Sequence, residues 1–228
     1  MLIIGHRGAA GRAPENTMSS FEAAFKAGAD MIELDVRLTA DNRLVVIHDS
    51  RLLRTHHLRD LVANVTYERL CELTVDKPVP LLEEILDIYF GRILLNIELK
   101  SRGSGEQLVR LLKKRYITKA SDWDKVIVSS FRGSELVQVR QLAKRANLAL
   151  LHSENPFIFV AYHRFVNLTA VGFHRLYLNR LALEIARCAG IFIYVYTVDR
   201  PGALRHLEEK GVQGVVTNYP DKLIAATE

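Results

Sequence analysis

Short apolar runs rich in β-branched residues alternate along the chain with segments in which apolar residues recur every three or four positions. The first kind of run is typical of buried parallel strands, and the second is typical of amphipathic helices. The apolar runs predict strands at 2–5, 30–36, 44–48, 93–99, 125–129, 147–151, 169–173, 191–197 and 213–217. The periodic segments predict helices at 16–27, 82–90, 105–115, 133–145, 155–166, 179–189, 201–210 and 221–226.

The strand and helix patterns repeat roughly every 25–30 residues, which indicates consecutive βα units around a parallel sheet. Eight such units in 228 residues fit an α/β fold, a (β/α)8 TIM barrel formed by a single domain over 1–228. The run at 44–48 is extra to this count and predicts a short β segment and loop after strand 2. A doubly wound open sheet is the competing fold, but no glycine fingerprint with the usual spacing follows the first strand.

Composition and charge narrow the classes of function. The net charge of +5 suits an anionic substrate, but no arginine stripe with interleaved aromatic residues points to nucleic acid. The two cysteines, Cys71 and Cys188, form no CxxC pair, which argues against a structural zinc site or a disulfide framework. We expect no signal peptide, because the first residues contain no basic stretch and no apolar region of signal-peptide length, and no apolar run approaches the roughly eighteen residues of a membrane span. We therefore expect a cytoplasmic protein with no stable membrane anchor and no nucleic-acid partner.

Three carboxylates lie within otherwise apolar strand sequences: Glu33 and Asp35 in the predicted strand 30–36, and Glu98 in the predicted strand 93–99. Residues two apart in a strand point to the same face, so Glu33 and Asp35 aim at one point. A buried carboxylate is costly unless it is paired or bound to a metal. Oxygen ligands without a thiolate favour Mg²⁺ or Ca²⁺. The alternative is that the carboxylates form structural ion pairs with the cations Arg7, Arg37 and Lys100.

Two histidines accompany this set of carboxylates. His6 follows the first predicted strand, and His48 ends the extra one. Because histidine ionises near neutral pH, the two can supply a general acid and a general base. The alternative for each histidine is a plain hydrogen bond to backbone at a strand end, and we assign that kind of role to the other six histidines.

Two cations complete the candidate site. Arg7 and Lys100 either neutralise the carboxylates or hold a phosphate, for which a guanidinium offers two parallel donors. The small residues of the loop 8–11 would let an anionic group approach closely. Either Asn16 or Thr17 is expected to cap the helix that follows.

Motifs spread over the chain match a known family nearly from end to end. The matching segments are HRG at 6–8, PENT at 14–17, GADMIELDV at 28–36, HD at 48–49, PLLEEIL at 80–86, NIELK at 96–100, SSF at 129–131, VYTVD at 195–199 and GVQGVVTNYP at 211–220. HRG alone would be weak, but the combination in the first half is highly specific. The chain resembles the glycerophosphodiester phosphodiesterases.

This resemblance implies a (β/α)8 barrel that hydrolyses glycerophosphodiesters to glycerol 3-phosphate and an alcohol such as choline or ethanolamine. It also implies a divalent metal cofactor, Mg²⁺ or Ca²⁺. By resemblance, the site residues are the metal ligands Glu33, Asp35 and Glu98, the acid–base pair His6 and His48, and the phosphate contacts Arg7 and Lys100. The related phosphoinositide lyases suggest, by analogy, that a substrate hydroxyl attacks phosphorus and that water then opens a cyclic phosphate.

Two departures from the family pattern bear on the preferred alcohol. After His48-Asp49 the family often reads RTTNG, whereas this chain reads Arg54-Thr55-His56-His57 and has only a short segment before Pro80. That segment caps the pocket in relatives, so the alcohol is left open. Tyr196 stands where the family usually has a tryptophan.

Two other functions stay open at this point. A lysophospholipase D-like activity would need an apolar groove beside the pocket, which Phe157, Phe159 and Tyr162 could line, although they are equally good core residues. A non-catalytic phosphodiester-binding protein is disfavoured by the intact histidines and carboxylates. The partner we expect is a small-molecule glycerophosphodiester, and the sequence leaves a homo-oligomer open.

Overall fold

The computed structural model describes residues 1–152, 155 and 157–227. Within them the strands are β1 (Leu2–Gly5), β2 (Met31–Leu38), β3 (Leu44–Val46), β4 (Leu94–Leu99), β5 (Val126–Ser130), β6 (Asn147–His152), β7 (Ala170–His174), β8 (Phe192–Tyr196) and β9 (Gly214–Thr217). Eight of these strands pair in parallel, and β1 bonds to both β9 and β2, which closes the ring. The predicted (β/α)8 TIM barrel is therefore confirmed.

Strand β3 lies outside the ring. It pairs antiparallel with the end of β2, with Val36 opposite Val46 and Leu38 opposite Leu44. The short β segment predicted after strand 2 is thus confirmed. The pairing also explains why β2 runs two residues beyond its predicted end, since its last residues gain a hydrogen-bonded partner in β3.

The helices lie between the strands. They are α1 (Met18–Lys26), α2 (Leu53–His56), α3 (Tyr67–Leu73), α4 (Leu82–Tyr89), α5 (Ser104–Arg115), α6 (Gly133–Leu142), α7 (Ile158–Val166), α8 (Arg180–Cys188), α9 (Leu204–Glu209) and α10 (Pro220–Ile224). Each predicted helix has a counterpart, although Pro156 of the predicted helix 155–166 lies outside the described residues. In the described part of the chain, no helix is long and apolar enough to span a membrane.

Helices α2 and α3 were not predicted. Each covers about two turns or less, which is too short for helical periodicity to stand out in a sequence. Both belong to the segment 47–81 between β3 and α4, which has a small core of its own that includes Leu52, Val62 and Leu70. This β3–α4 segment is therefore packed against β3, where it borders the carboxyl end of the barrel.

Two apolar layers build the barrel. Side chains that point outward from the ring pack against the helices, as Ile32 and Leu34 do with Phe21. Side chains that point inward fill the interior, among them Ile4, Met31, Ala149, Leu151, Tyr194 and Val216. Because side chains alternate along a strand, the residues that follow Met31 in steps of two, Glu33 and Asp35, also point inward. The prediction of one domain over 1–228 stays a prediction.

The loop from β1 to α1 depends on a glycine. Gly8 has a φ of +84°, and a Cβ at this position would lie 2.5 Å from Ser20. The Ser20 hydroxyl accepts a hydrogen bond from Ala9 N–H at 2.9 Å and donates to the carbonyl of Arg7 at 2.7 Å, which fastens the loop to α1. Thr17 caps α1 by accepting from Ser20 N–H, so the structure selects Thr17 over Asn16 as the cap.

We expect Gly8→Ala to lower the free energy of unfolding by about 2–5 kcal/mol, because it adds a strained positive φ to a steric overlap with Ser20. Gly28→Ala is the matched control, since Gly28 has a φ of +83° but no atom within 4 Å of the added Cβ. It should cost only about 1–2 kcal/mol. Gly202→Ala, in open space without a positive φ, should change little. Urea unfolding monitored by circular dichroism measures all three, and equal losses for Gly8→Ala and Gly28→Ala would contradict the steric argument.

Candidate active site

Strand register brings the three predicted carboxylates together at the carboxyl end of the barrel. Strands β2 and β4 pair in parallel with Asp35 opposite Glu98 and Glu33 opposite Asn96. One oxygen each of Glu33, Asp35 and Glu98 lies within 4.8 Å of the other two. The three residues are only 5%, 1% and 8% exposed, so bulk water screens their charges poorly.

Burial and mutual repulsion shift the protonation of these carboxyls. Burial, reinforced by the charge of Asp35, raises the pKa of Glu98 to about 7. The same two causes raise the pKa of Glu33 well above its usual value. Burial alone would raise the pKa of Asp35 as well, but Lys100 and Arg7 outweigh it and lower this pKa. Asp35 is therefore the charged centre of the cluster.

Arg7 and Lys100 contact Asp35 at its two oxygens. Arg7 Nε lies 3.1 Å from Oδ2, and Lys100 Nζ lies 3.3 Å from Oδ1. Lys100 Nζ also lies 2.6 Å from Glu98 Oε1, and the backbone N–H of Arg7 donates to Glu33 Oε2 at 2.8 Å. The ion pairs that the sequence offered as an alternative to a metal are thus present for these two cations. Arg37 instead donates through Nε to the carbonyl of His48 at 2.7 Å.

The carboxylates nevertheless fit a divalent cation. The two basic side chains do not fully offset the three acids, because Glu33 and Glu98 keep raised pKa values beside them. Mg²⁺ and Ca²⁺ prefer oxygen ligands, and here three carboxylates stand on two adjacent strands. The donor set does not discriminate between the two ions.

A polar chain from the end of the ring orients His6. Its Nδ1 lies 2.7 Å from Oδ1 of Asn218, and Nδ2 of Asn218 donates to Asp199 at 2.9 Å. Because Asp199 turns the amide oxygen of Asn218 toward the ring, Nδ1 of His6 carries the proton and Nε2 keeps a lone pair. Burial, together with the charge of Arg7, lowers the pKa of His6 and favours this neutral form.

A charged network holds His48. Its Nδ1 lies 2.6 Å from Asp49 Oδ1, and Arg54 Nε donates to the other oxygen of Asp49 at 2.7 Å. Arg54 also donates to both oxygens of Glu15, at 2.8 and 2.6 Å, and Glu15 accepts from Arg7 at 2.9 Å. The hydrogen bond from Arg54 lowers the pKa of Asp49 to about 2, so this carboxylate stays ionised beside the imidazole. Burial lowers the pKa of His48, and the nearby carboxylates oppose that shift.

One pocket of about 210 Å³ unites these groups. Six of the seven predicted site residues line it, namely His6, Arg7, Glu33, His48, Glu98 and Lys100. The seventh, Asp35, is bonded to both cations behind the pocket surface. Asn96 and Tyr194 line the pocket from the barrel interior, and Phe131 and Tyr196 line it toward the mouth.

Comparison with known proteins decides the family. Residues 6–222 match the model of the Glycerophosphoryl diester phosphodiesterase family. The chain belongs to this family. It is 31% identical over 240 residues to the glycerophosphodiester phosphodiesterase of Caldanaerobacter subterraneus subsp. tengcongensis, an alignment that covers 98% of this chain and 96% of the relative. The resemblance and the enzyme class predicted from the motifs, a phosphoric diester hydrolase, are confirmed.

The solved structures give the same fold. The glycerophosphodiester phosphodiesterase from Thermotoga maritima is 27% identical, with a TM-score of 0.85 over 99% of this chain and 97% of that one. An Oleispira antarctica phosphodiesterase, solved in complex with the product sn-glycerol-3-phosphate, shares the fold with a TM-score of 0.87 at 24% identity, over 100% of this chain and 96% of that one. The family match therefore agrees with the closed barrel described above.

Sequence reasoning missed the residues that hold the histidines of this family member. Asp49 adjoins His48 in the sequence, so that contact could have been suspected. His6 and Asn218 are 212 positions apart, and no local pattern shows that they meet. Asn16, whose role was left open, turns out to bond Asp35, to which its Nδ2 donates at 2.9 Å.

We expect Mg²⁺ or Ca²⁺ to raise the melting temperature of this glycerophosphodiester phosphodiesterase family member after dialysis against EDTA. A cation at a hundred times its Kd adds about 2.7 kcal/mol to the free energy of unfolding. Glu98→Gln should remove most of the gain because it removes a charged oxygen from the cluster. Glu68→Gln, at an exposed position on α3, is the control and should keep the gain. Differential scanning fluorimetry measures the shift.

The gain should also grow with pH. Without a cation, the pKa of Glu98, about 7, lies above its ordinary value of 4.5, so the folded chain holds the extra proton and loses stability as the pH rises between these values. A bound cation replaces that proton, so its stabilising effect should be larger at about pH 8 than at about pH 5. A gain that is independent of pH, or that persists in Glu98→Gln, would contradict a cation site at this cluster.

Proposed function

We propose that the chain hydrolyses glycerophosphodiesters to glycerol 3-phosphate and an alcohol, with Mg²⁺ or Ca²⁺ held by Glu33, Asp35 and Glu98. The observation that carries the proposal is a pocket in which buried carboxylates, the basic side chains of Arg7 and Lys100, and two oriented histidines meet. The relative named glycerophosphodiester phosphodiesterase supports the reaction. The sn-glycerol-3-phosphate in the Oleispira structure supports the product.

The two basic side chains would bind the phosphate of the diester. Lys100 has three donor hydrogens, and its contacts with Asp35 and Glu98 occupy two of them. Arg7 lines the same pocket and carries a permanent charge. When bound, the divalent metal would supply further positive charge to the phosphoryl oxygens, where negative charge grows in the transition state.

The surroundings of the histidines divide the proton transfers between them. His6 presents a free Nε2 lone pair because Asn218 accepts the hydrogen bond from its Nδ1–H, so we assign His6 as the base that removes the proton from the oxygen attacking phosphorus. That oxygen belongs either to water or to a substrate hydroxyl, in which case water then opens the cyclic phosphate. His48 borders the ionised Asp49, which stabilises a protonated ring, so we assign His48 as the acid. Its proton goes to the departing alcohol oxygen as the bond from phosphorus to that oxygen breaks.

A second candidate function is lysophospholipase D-like hydrolysis. Of the residues suggested for an apolar groove, Phe159 and Tyr162 belong to the core, whereas Phe157 is 38% exposed. Phe131 lines the pocket and packs edge-on against Tyr196, with ring centroids 6.1 Å apart. These aromatic surfaces would suit the acyl chain of a lysophospholipid, which stays on the phosphate-bearing product when the headgroup alcohol leaves.

Other properties stay predictions from the sequence. They are a cytoplasmic location and the lack of a nucleic-acid partner, and the oligomeric state stays open. The preferred alcohol also stays open, since the pocket combines charged and aromatic walls.

A coupled assay for glycerol 3-phosphate tests the proposed function. We expect release from glycerophosphocholine and related soluble diesters with Mg²⁺ or Ca²⁺, and none after chelation by EDTA. The soluble diesters should be turned over faster than lysophosphatidylcholine micelles, because charged side chains dominate the inner pocket. The opposite order would favour the lysophospholipase D-like function. If the metal-loaded protein turned over neither substrate, both enzymatic functions would be rejected in favour of a non-catalytic phosphodiester-binding protein.

The division of labour between the histidines is tested by a change of leaving group. Removing either histidine should lower the rate roughly 10²–10⁴-fold. Because p-nitrophenolate leaves with little need for protonation, a p-nitrophenyl diester should partly rescue His48→Ala and not His6→Ala. His206→Ala, at an exposed position on α9, serves as the control and should stay near the wild-type rate. The reverse rescue would exchange the two roles, and near-normal rates in both variants would reject the pair.

A further inference from the structure

An apolar surface borders the pocket mouth on one side. Of the twelve large hydrophobic side chains that are exposed among the described residues, six lie on the connections β5–α6, β6–α7 and β7–α8 or in the first turns that follow them. We call this set the apolar rim; it consists of Phe131, Phe157, Ile158, Leu176, Tyr177 and Leu181. Scattered hydrophobic residues are ordinary on a surface, but a concentrated group marks an interaction site.

The apolar rim is continuous with the active-site pocket. Strands β5, β6 and β7 are neighbours in the ring, so the described residues that follow their carboxyl ends lie on one side of the mouth. Phe131 and Tyr196 line the pocket with their rings 6.1 Å apart, and His174 lies 5.7 Å from Tyr196 and 5.5 Å from Tyr177. This chain of aromatic rings runs from the pocket wall out to the most exposed rim residue, Leu176, which is 73% exposed.

The exposed charged residues that directly adjoin the rim residues in the sequence are arginines, and Glu184, one turn further along α8, is paired with Arg187 at 2.6 Å. Arg132, Arg175 and Arg180 are exposed, and each adjoins a rim residue in the sequence. Residues 157–183 contain no Asp or Glu, and Glu154 lies outside the described residues. Glu135, in the first turn of α6, is buried and accepts hydrogen bonds from the backbone N–H groups of Gly103 and Gly105 at the start of α5. The rim therefore combines apolar side chains with arginines.

We propose that the apolar rim docks the barrel onto an anionic lipid surface with the pocket mouth at the level of the headgroups. Exposed aromatic and aliphatic side chains enter the interfacial region, while the arginines are attracted to the lipid phosphates. The contact is reversible because it uses side chains of short connections. Deacylation of phospholipids yields glycerophosphodiesters, so docking places the mouth beside the class of reaction that supplies the proposed substrate.

Charge separates this occupant from a second copy of the chain. In a twofold symmetric dimer the same patch would meet itself, and the arginines of one rim would face those of the other. Like charges in such an interface are costly, whereas an anionic lipid surface complements them. The charge pattern thus favours the lipid.

Sedimentation of the full chain with lipid vesicles tests the proposal at about 0.1 M salt, where surface charge still acts over roughly 10 Å. We expect binding to vesicles of phosphatidylglycerol and phosphatidylcholine in equal parts, and binding at least about tenfold weaker to pure phosphatidylcholine. Arg180→Glu should weaken binding to the anionic vesicles at least about fivefold. The double change Leu176→Ser and Leu181→Ser should weaken it further, since both side chains are more than half exposed. Neither variant should alter circular dichroism or hydrolysis of a soluble diester.

Matched controls lie at the other end of the barrel. Phe165, in the last turn of α7, is 79% exposed, and Lys114 is exposed near the end of α5. Phe165→Ser and Lys114→Glu should bind vesicles as the wild type does. The proposal would be overturned by any of three outcomes: equal binding to both vesicle types, loss of binding in the control variants, or wild-type binding in the rim variants. If the rim variants changed only the molecular mass in light scattering, the rim would be an interface between copies and the proposal would be wrong.

Discussion

The ion pairs around Asp35 are the interaction on which the rest of the site depends. Asp35 is buried between two other carboxylates, and an unpaired charge there would cost several kcal/mol. Arg7 and Lys100 lower its pKa from either side, and Asn16 bonds the same carboxylate. Glu33 and Glu98 keep raised pKa values despite this pairing, so a bound cation would still be stabilised by their negative charge. The same contacts thus stabilise the fold and prepare the site for a cation.

The charges continue from Asp35 into the β3–α4 segment. Arg7 bridges Asp35 and Glu15, Glu15 binds Arg54, and Arg54 binds the Asp49 that contacts His48. One network therefore couples the β1–α1 loop to the segment that follows β3. His6 stands outside this network, since its ring contacts a neutral amide. The two histidines therefore have different partners at Nδ1, a neutral amide for His6 and an ionised carboxylate for His48, although burial lowers the pKa of both.

The mouth of the barrel is divided into two halves of different chemistry. The half formed by β1, β2, the β3–α4 segment and the end of β4 carries the ion pairs and both histidines. The half formed by the ends of β5 to β8 carries aromatic rings, exposed aliphatic side chains and exposed arginines such as Arg180. A diester placed across the pocket would meet charge on one side and apolar surface on the other. The groups that act on the phosphate and the apolar surface that contacts the rest of the substrate therefore lie on different elements of the fold.

The sequence by itself determined the barrel and much of the site. The repeat of strand and helix patterns is a local property, and so is the two-residue spacing that points Glu33 and Asp35 the same way. Only the tertiary structure decided which residues hold that site in place. The partners of His6 and Arg54 come from distant parts of the chain, and α2 and α3 are too short to show periodicity. The difference between buried Phe159 and exposed Phe157 depends on how α7 packs, because burial is set by neighbours that the local sequence does not name.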